Sequence, residues 1–410
     1  MTSILRNCRG CRSDKLMTFL EFGEHPPANM FVRPEELDDE QPAFSMNAQV
    51  CLDCGMIQIA DQVPADFFRH YLYIPAGSTT MVAHLQSLAS VLTGRSEGGL
   101  IVDIGCNDGT LLAAANATGA RTLGIDPAEN VAELAAEKGV SVHCAYFGPE
   151  TAQEVRDAHG PAAVISTTNT FHHIGDLHNF MEGVVILLDR EGTFVVEVPW
   201  SKEIVEKNQF DNIYQEHVSE LSVISFQKLG EYFGLEVTDV EKIPIHGGSI
   251  RVFMRRKGVA KEIAPVVAEM VEEEVQAGLL ERKTYERFAQ NAREVRSELL
   301  AMLAELKADG KRIAGYGAPA KGSTILNFCG IGPETLEFLA DRSELKQGMY
   351  SPGTKIPIVS PDTIAAENPD VLLVLAWNFF DEIREQLAEF EAKGGRFLVP
   401  IPRPHLVDRR

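Results

Sequence analysis

Positive charge is what this 410-residue chain is short of: 38 lysines and arginines stand against 59 aspartates and glutamates, a formal net charge of −21. A field of that sign repels nucleic acid and anionic lipid, so neither is expected as a general partner. An anionic small molecule is still admissible where basic residues gather locally. Long apolar runs are missing as well. The strongest, Val371 to Trp377, is far too short to span a bilayer. The first ten residues hold Arg6, Arg9 and a cysteine but no apolar core. No secretory signal is therefore expected, and the protein is expected in the cytoplasm. Internal repeats and low-complexity segments are also lacking. Cysteine is sparse, yet four of the seven stand in two close pairs. In a reducing compartment that arrangement points to metal rather than to disulfides.

The length calls for two or three domains, and three regions separate by pattern. Residues 1–70 are loop-rich, with the cysteine pairs and several prolines. Residues 71–257 alternate short apolar runs with helical patterns, the sign of a parallel sheet flanked by helices. Residues 258–410 open on a long charged helical stretch, Ala260 to Ala308. They then return to alternation: strands at Arg312–Gly317, Thr335–Ala340, Val371–Ala376 and Arg396–Val399, with helices at Ala320–Phe328, Pro361–Asn368 and Phe379–Ala392. The run Val371-Leu-Leu-Val-Leu375 reads as a buried parallel strand. The expected class is α/β: a zinc-binding module, a Rossmann-like domain and a second doubly wound unit.

Cys8-Arg-Gly-Cys11 and Cys51-Leu-Asp-Cys54 are two CxxC knuckles. Two thiolates at that spacing reach one ion, and two knuckles complete a tetrahedron. Four unrelated buried thiols would not explain the doubled motif. With no position left open, the site is expected to hold one structural zinc and to fasten a region with little core of its own.

Leu100-Ile-Val-Asp103-Ile-Gly105-Cys-Asn107-Asp-Gly109-Thr110 reads as a strand, a glycine-rich turn and a helix start. The dinucleotide spacing GxGxxG is absent. The next apolar run ends in Asp126, placed to bind ribose hydroxyls. The pattern resembles the S-adenosylmethionine-dependent methyltransferase fold, against a generic nucleotide-binding turn as the alternative. It implies that Asp103, Gly105, Asn107, Gly109 and Asp126 surround the donor. Tyr146 and Phe147 after the third strand would lie near its adenine, and Asn169 would face it from the end of the fourth strand.

Gly315-Tyr-Gly317-Ala-Pro-Ala-Lys321-Gly322 is another turn between a strand and a helix, so its amides and Lys321 can hold phosphate. Asp341-Arg342 ends the following strand. The loop from Lys346 through Tyr350 to Gly353 is placed to close over a nucleotide.

These segments join Tyr71-Leu-Tyr73-Ile-Pro-Ala-Gly-Ser78, Asn169-Thr-Phe-His172-His173, Asn212-Ile-Tyr214-Gln-Glu216-His217 and His246-Gly-Gly-Ser-Ile-Arg251. With the paired CxxC knuckles and in this order, they resemble the zinc-containing sugar C-methyltransferases acting on nucleotide-linked 4-keto-deoxysugars, over nearly the whole chain. Val218-Ser-Glu-Leu-Ser222 departs from that family, where an aromatic is expected. The resemblance implies that the last third carries the substrate's nucleotide diphosphate. It also places Tyr73, Ser78, His246, Arg251, Gly317, Lys321, Arg342, Lys346 and Tyr350 around the substrate. The partner is then a nucleotide-diphosphate keto-sugar, with no nucleic acid and no membrane, and the protein a monomer.

The chemistry agrees with that reading. A sugar carbon is a poor nucleophile until a neighbouring ketone makes its C–H acidic and a base produces an enolate. Such a site needs a base near neutral pKa, a donor to the enolate oxygen and firm positioning. His217 is the first candidate for the base, with Tyr214 and Glu216 to orient it or to bind the keto oxygen. His173 and Tyr71 follow, because the resemblance places them around the sugar. Two other readings stand beside this one: an O- or N-methyltransferase on another metabolite, and a non-catalytic zinc-containing binding protein.

Overall fold

The computed structural model describes residues 5–60 and 78–408. Tyr71 and Tyr73 lie outside the described residues. Strands β1 (Leu16–His25), β2 (Phe44–Cys51) and β3 (Ile57–Ile59) form an antiparallel meander. The two knuckles sit at one end of it, just before β1 and between β2 and β3.

The central unit starts with α1 (Thr79–Ser96), whose first turn is capped by the Ser78 hydroxyl accepting from the Met81 N–H at 3.4 Å. Alternation then runs β4 (Leu100–Ile104), α2 (Thr110–Asn116), β5 (Arg121–Ile125), α3 (Glu129–Glu137), β6 (Val142–His143), α4 (Pro149–His159), β7 (Ala162–Thr168), α5 (Leu177–Leu187), β8 (Leu188–Pro199), α6 (Ser201–Glu206), β9 (Ser219–Glu220), α7 (Val223–Tyr232), β10 (Leu235–Ile243) and β11 (Ser249–Arg256). Seven strands form one sheet in the order β10-β11-β8-β7-β4-β5-β6. Strands β4 to β8 are parallel, as their unbroken apolar runs require, and β4 is buried throughout. The far edge is not parallel: β11 runs antiparallel to both β8 and β10. The reason is the short turn at His246-Gly-Gly248, where all three residues take positive φ, so that β10 and β11 close as a hairpin without a crossover helix.

The third unit has α8 (Pro265–Gln276) and α9 (Arg282–Ala308), then β12 (Ile313–Tyr316), α10 (Ala320–Cys329), β13 (Leu339–Ala340), β14 (Ile358–Val359), α11 (Asp362–Glu367), β15 (Val371–Val374), α12 (Phe380–Gln386), α13 (Ala388–Ala392), β16 (Arg396–Val399) and β17 (His405–Leu406). Its sheet order is β14-β13-β12-β15-β16-β17, parallel except for β17. Three expectations change here. The single helix over 260–308 is two, broken at Gly278, whose φ of 75° belongs to the left-handed region. The strand expected at 335–340 keeps only its last two residues. The last long helix is split at Leu387.

The units share their cores. Phe19 of β1 packs its ring 5.4 Å from Tyr285 and 5.8 Å from Phe288 of α9, and Phe22 lies 5.1 Å from Phe328 of α10. Val267 and Met270 of α8 instead join the core of the central sheet. Strand β9, from inside the central unit, is the fourth strand of the N-terminal sheet beside β3. Among the described residues no helix is long and apolar enough to cross a membrane.

Each doubly wound sheet reverses its strand order once: between β4 and β7 in the central unit, and between β12 and β15 in the third. Ligands of such folds bind outside the carboxyl ends of the strands at that reversal. Both reversals open on the same cavity.

Candidate functional site

The four cysteine sulfurs lie within 4.8 Å of one another, with Cys8 to Cys54 at 3.6 Å and Cys11 to Cys51 at 3.5 Å. A tetrahedral zinc with Zn–S bonds of about 2.3 Å sets sulfurs about 3.8 Å apart, so the donor set fits that ion. Three of the four are buried, and four sulfur donors would complete a tetrahedral ion with no position open to a substrate. The first knuckle also reaches the central unit. Arg9, itself buried, donates to the Ile59 carbonyl at 2.8 Å and to that of Gly175 at 3.0 Å.

The cavity between the central and third units has a volume of about 1770 Å³. Pockets for a single small ligand commonly run from about 300 to 1,000 Å³, so this one has room for two. On the donor side its wall carries Asp103, Gly105, Asn107, Asp126, Tyr146, Phe147 and Asn169. Asp126 is buried at the end of β5, where its carboxylate accepts from the backbone of Asn107 and Ala128, both at 2.9 Å. Burial pushes its carboxyl above the usual range. Asp103 is pushed up to about 7 by the same cause, opposed by the Ser166 hydroxyl that donates to it at 2.7 Å.

Asn169 takes a left-handed φ of 52° directly after β7, and its buried side-chain oxygen has no hydrogen-bond partner among the described residues. An orphaned acceptor on a cavity wall is what a ligand N–H satisfies, and it suits an amino-acid-bearing donor such as S-adenosylmethionine. The glycines are another matter. A Cβ on Gly105 would meet Thr170 at 2.3 Å, and one on Gly109 would meet Ala135 at 2.8 Å. Their smallness is demanded by the chain's own packing and by positive φ, rather than by room for a ligand. Gly109 does not reach the cavity at all.

At the middle of the wall stands a histidine cluster. His217 has its ring 4.0 Å from His172 and 4.9 Å from His173. Its Nε2 is hydrogen-bonded to the Tyr214 hydroxyl, and its Nδ1 to Oε1 of Glu220 at 3.1 Å. Nδ1 of His173 bonds the Glu216 carbonyl at 2.8 Å. Burial holds His172 and His217 well below the usual 6.5 and brings His173 to about 4, so all three are neutral at neutral pH. Glu216 is not the orienting acid expected next to His217. Its carboxylate turns the other way, bound by the backbone N–H of Asn29 at 3.0 Å and by the Asn29 amide. Residues 214–217 form a turn closed by the His217 N–H donating to the Tyr214 carbonyl at 2.8 Å, and the carboxyl that reaches the His217 ring is three residues on, at Glu220.

The third unit contributes Gly317, Lys321, Arg342 and Lys346 to the wall, with Ser78 and His246 from the central unit. Lys321 lies 5.7 Å from the Trp377 ring and 3.5 Å from the His246 carbonyl. Burial lowers its pKa while Asp211 and Glu220 raise it. Lys346 donates to the Ala318 carbonyl at 2.9 Å. Two expected substrate residues are elsewhere. Arg251 is buried in ion pairs with Glu197 at 2.9 Å and Glu241 at 2.6 Å. The backbone of Tyr350 pairs with Val32 and Pro357, away from the cavity. Sequence reasoning missed Glu220 and His172. Only the three-residue spacing from His217 and the doubled His172-His173 could have pointed to them.

Comparison with known proteins agrees with this geometry. Residues 8–68 match a family model described as a zinc binding domain, residues 80–240 a methyltransferase domain, and residues 244–402 a C-methyltransferase C-terminal domain. The chain is 38% identical to the C-methyltransferase NovU of Streptomyces niveus over 404 residues, 98% of this chain and 96% of that protein. Partial likenesses reach magnesium protoporphyrin IX methyltransferase of Synechocystis PCC 6803 with bound S-adenosylmethionine (16% identity, 43% of this chain and 82% of that one, TM-score 0.33). They also reach the CcbJ methyltransferase of Streptomyces caelestis (11% identity, 47% and 96%, TM-score 0.36). The chain belongs to the family of C-methyltransferases with an N-terminal zinc-binding domain. It is an S-adenosylmethionine-dependent enzyme, and zinc and S-adenosylmethionine are its cofactors.

Proposed function

We propose that this enzyme methylates carbon 3 of a nucleotide-linked 4-keto-deoxysugar through an enolate, in the cytoplasm, as a step in making branched sugars. The observation that carries the reading is the meeting of two strand-order reversals on one cavity, with the Tyr214–His217 pair on the wall they share. One reversal suits the methyl donor, with Asp126 toward its ribose and Asn169 toward its charged end. The other suits an anion. In a chain of net charge −21, Lys321, Arg342 and Lys346 are the described lysines and arginines on this wall, beside Asp341 and Glu344, and their gathering favours a substrate that carries phosphates.

The C–H bond beside the ketone breaks, and its electron pair moves onto the keto oxygen. The proton leaves through Tyr214, whose hydroxyl occupies Nε2 of His217: the phenol oxygen takes the substrate proton as it passes its own to that nitrogen. Neutral at neutral pH, the imidazole has the lone pair this requires. Lys321 supplies positive charge near the phosphates or the developing enolate oxygen. When bound, S-adenosylmethionine supplies a sulfonium methyl that needs no activation and departs from sulfur as the enolate carbon bonds to it. Methyl transfer from labelled S-adenosylmethionine to a panel of dTDP-, GDP- and CDP-linked 4-keto-deoxysugars tests the reading. Label on carbon 3 of one of them supports it, and label on oxygen, or on none of the panel, sinks it.

A further inference from the structure

We propose that Glu220 is the positioning residue for His217, holding the ring with its proton on Nδ1 and its lone pair on Nε2. The inference rests on His217 being the proton acceptor of the methylation. Three observations carry it. Nδ1 of His217 lies 3.1 Å from Oε1 of Glu220, while Nε2 meets the Tyr214 hydroxyl, so the two ring nitrogens have opposite partners. Glu220 is 1% exposed, and its Oε2 has no hydrogen-bond partner among the described residues. A carboxylate kept that dry, with one oxygen spent on a single imidazole, serves that imidazole.

The third observation is what holds it. Glu220 lies on β9, whose backbone is locked from both sides. Ile57 and Gln58, just beyond the second zinc knuckle, pair with Glu220 and Ser219. The Ser222 hydroxyl donates to the Cys54 carbonyl at 3.4 Å, and Ser201 donates to the Leu221 carbonyl at 2.9 Å. The acid that orients the histidine is thereby mounted on the strand next to the metal knuckle. This gives the zinc module a task at the reaction centre, although the metal itself stays closed to substrate.

The orientation matters because the cluster works against the charged ring. Burial and the neighbouring His172, His173, His246 and Lys321 all disfavour imidazolium at His217. Among the described residues the one carboxyl bonded to that ring is Glu220; burial pushes it well above the usual carboxylate range, and Lys321 opposes that shift. An anion on Nδ1–H stabilises the cation formed when Nε2 receives its proton.

The test begins with nitrogen-15 spectra of the histidine rings, taken on the zinc-replete protein saturated with S-adenosylhomocysteine and assigned with His217→Asn. The parent is expected to show His217 protonated at Nδ1 only, and Glu220→Gln to show a mixture of tautomers. A parent ring protonated at Nε2, or a spectrum unchanged in Glu220→Gln, overturns the proposal. Turnover on whichever keto-sugar nucleotide the parent methylates gives the second reading. For Glu220→Gln, kcat is expected to fall on the order of 10²–10⁴-fold, the range of an acid–base contribution, with KM and affinity for S-adenosylhomocysteine unchanged. A rise in KM alone, or near-parental kcat, also overturns it. If the parent methylates no keto-sugar nucleotide, the substrate reading has failed and the spectra alone decide the role of Glu220.

Discussion

Oδ2 of Asp126 accepts the backbone N–H of Asn107 at 2.9 Å, tying the end of β5 to the turn that follows β4. The acid thereby shapes the donor side of the cavity as well as lining it. Asp126→Ala is expected to weaken S-adenosylhomocysteine binding by roughly tenfold or more, since a hydrogen bond to a charged group contributes about 1.5–3 kcal/mol. Titration calorimetry on the folded variant checks this, and parental affinity would contradict the assignment.

His217→Asn is expected to lose on the order of 10²–10⁴-fold in kcat while both ligands still bind. Because the Tyr214 hydroxyl occupies Nε2 of His217, Tyr214→Phe should lose a similar amount, and the double variant little more than either single one. Losses that simply multiply would mean that the two act separately. In D₂O without donor, the parent is expected to exchange the proton of carbon 3, and both variants far more slowly.

Lys321→Ala is expected to raise KM for the sugar nucleotide about tenfold or more and to leave donor affinity nearly unchanged. Steady-state kinetics with each substrate varied in turn settle which ligand the lysine serves. A drop in kcat alone would place its charge at the enolate oxygen instead of the phosphates.

Metal analysis is expected to find one zinc per chain. Chelation should then speed amide exchange at residues 218–222 before it affects β4 and β5, because β9 hangs on β3 beside the knuckle. Exchange that rises everywhere at once would show that zinc holds the whole fold rather than this strip.

His25 shows a pH dependence that needs no ligand. It is buried, its Nε2 donates to the Phe22 carbonyl at 3.0 Å, and burial lowers its pKa from 6.5 to about 4. The unfolded chain therefore binds more protons than the native one between those values. Stability from this group is present above pH 6.5 and is lost as pH falls toward 4. From pH 7.5 to 5 the parent is expected to lose about 2 kcal/mol more than His25→Gln, at 1.36 kcal/mol per unit. Denaturant titrations of the two proteins at both pH values measure the difference.

Much of this molecule was legible from local pattern. The doubled CxxC announces a metal because ligand spacing is set within a single turn. Continuous apolar runs such as Val371–Leu375 announce buried parallel strands, and the acid at Asp126 follows from the βαβ repeat. These signals lie within a few residues of one another, so the chain states them by itself.

What needed the tertiary structure is everything that depends on which strand neighbours which. The sequence cannot show that Ser219–Glu220 leaves the central unit to complete the zinc module's sheet, because strand pairing is non-local. Sequence order offers Glu216, next in line, as the acid beside His217, whereas the carboxyl hydrogen-bonded to its ring is that of Glu220. Arg251, a plausible anion ligand as a letter in a motif, is neutralised by Glu197 on the strand paired with its own and by Glu241 on the other. Gly109 has a glycine's freedom, yet Ala135 fills the space beside it. Local chemistry decided what each residue could do, and the packing of distant strands decided which of them share one cavity.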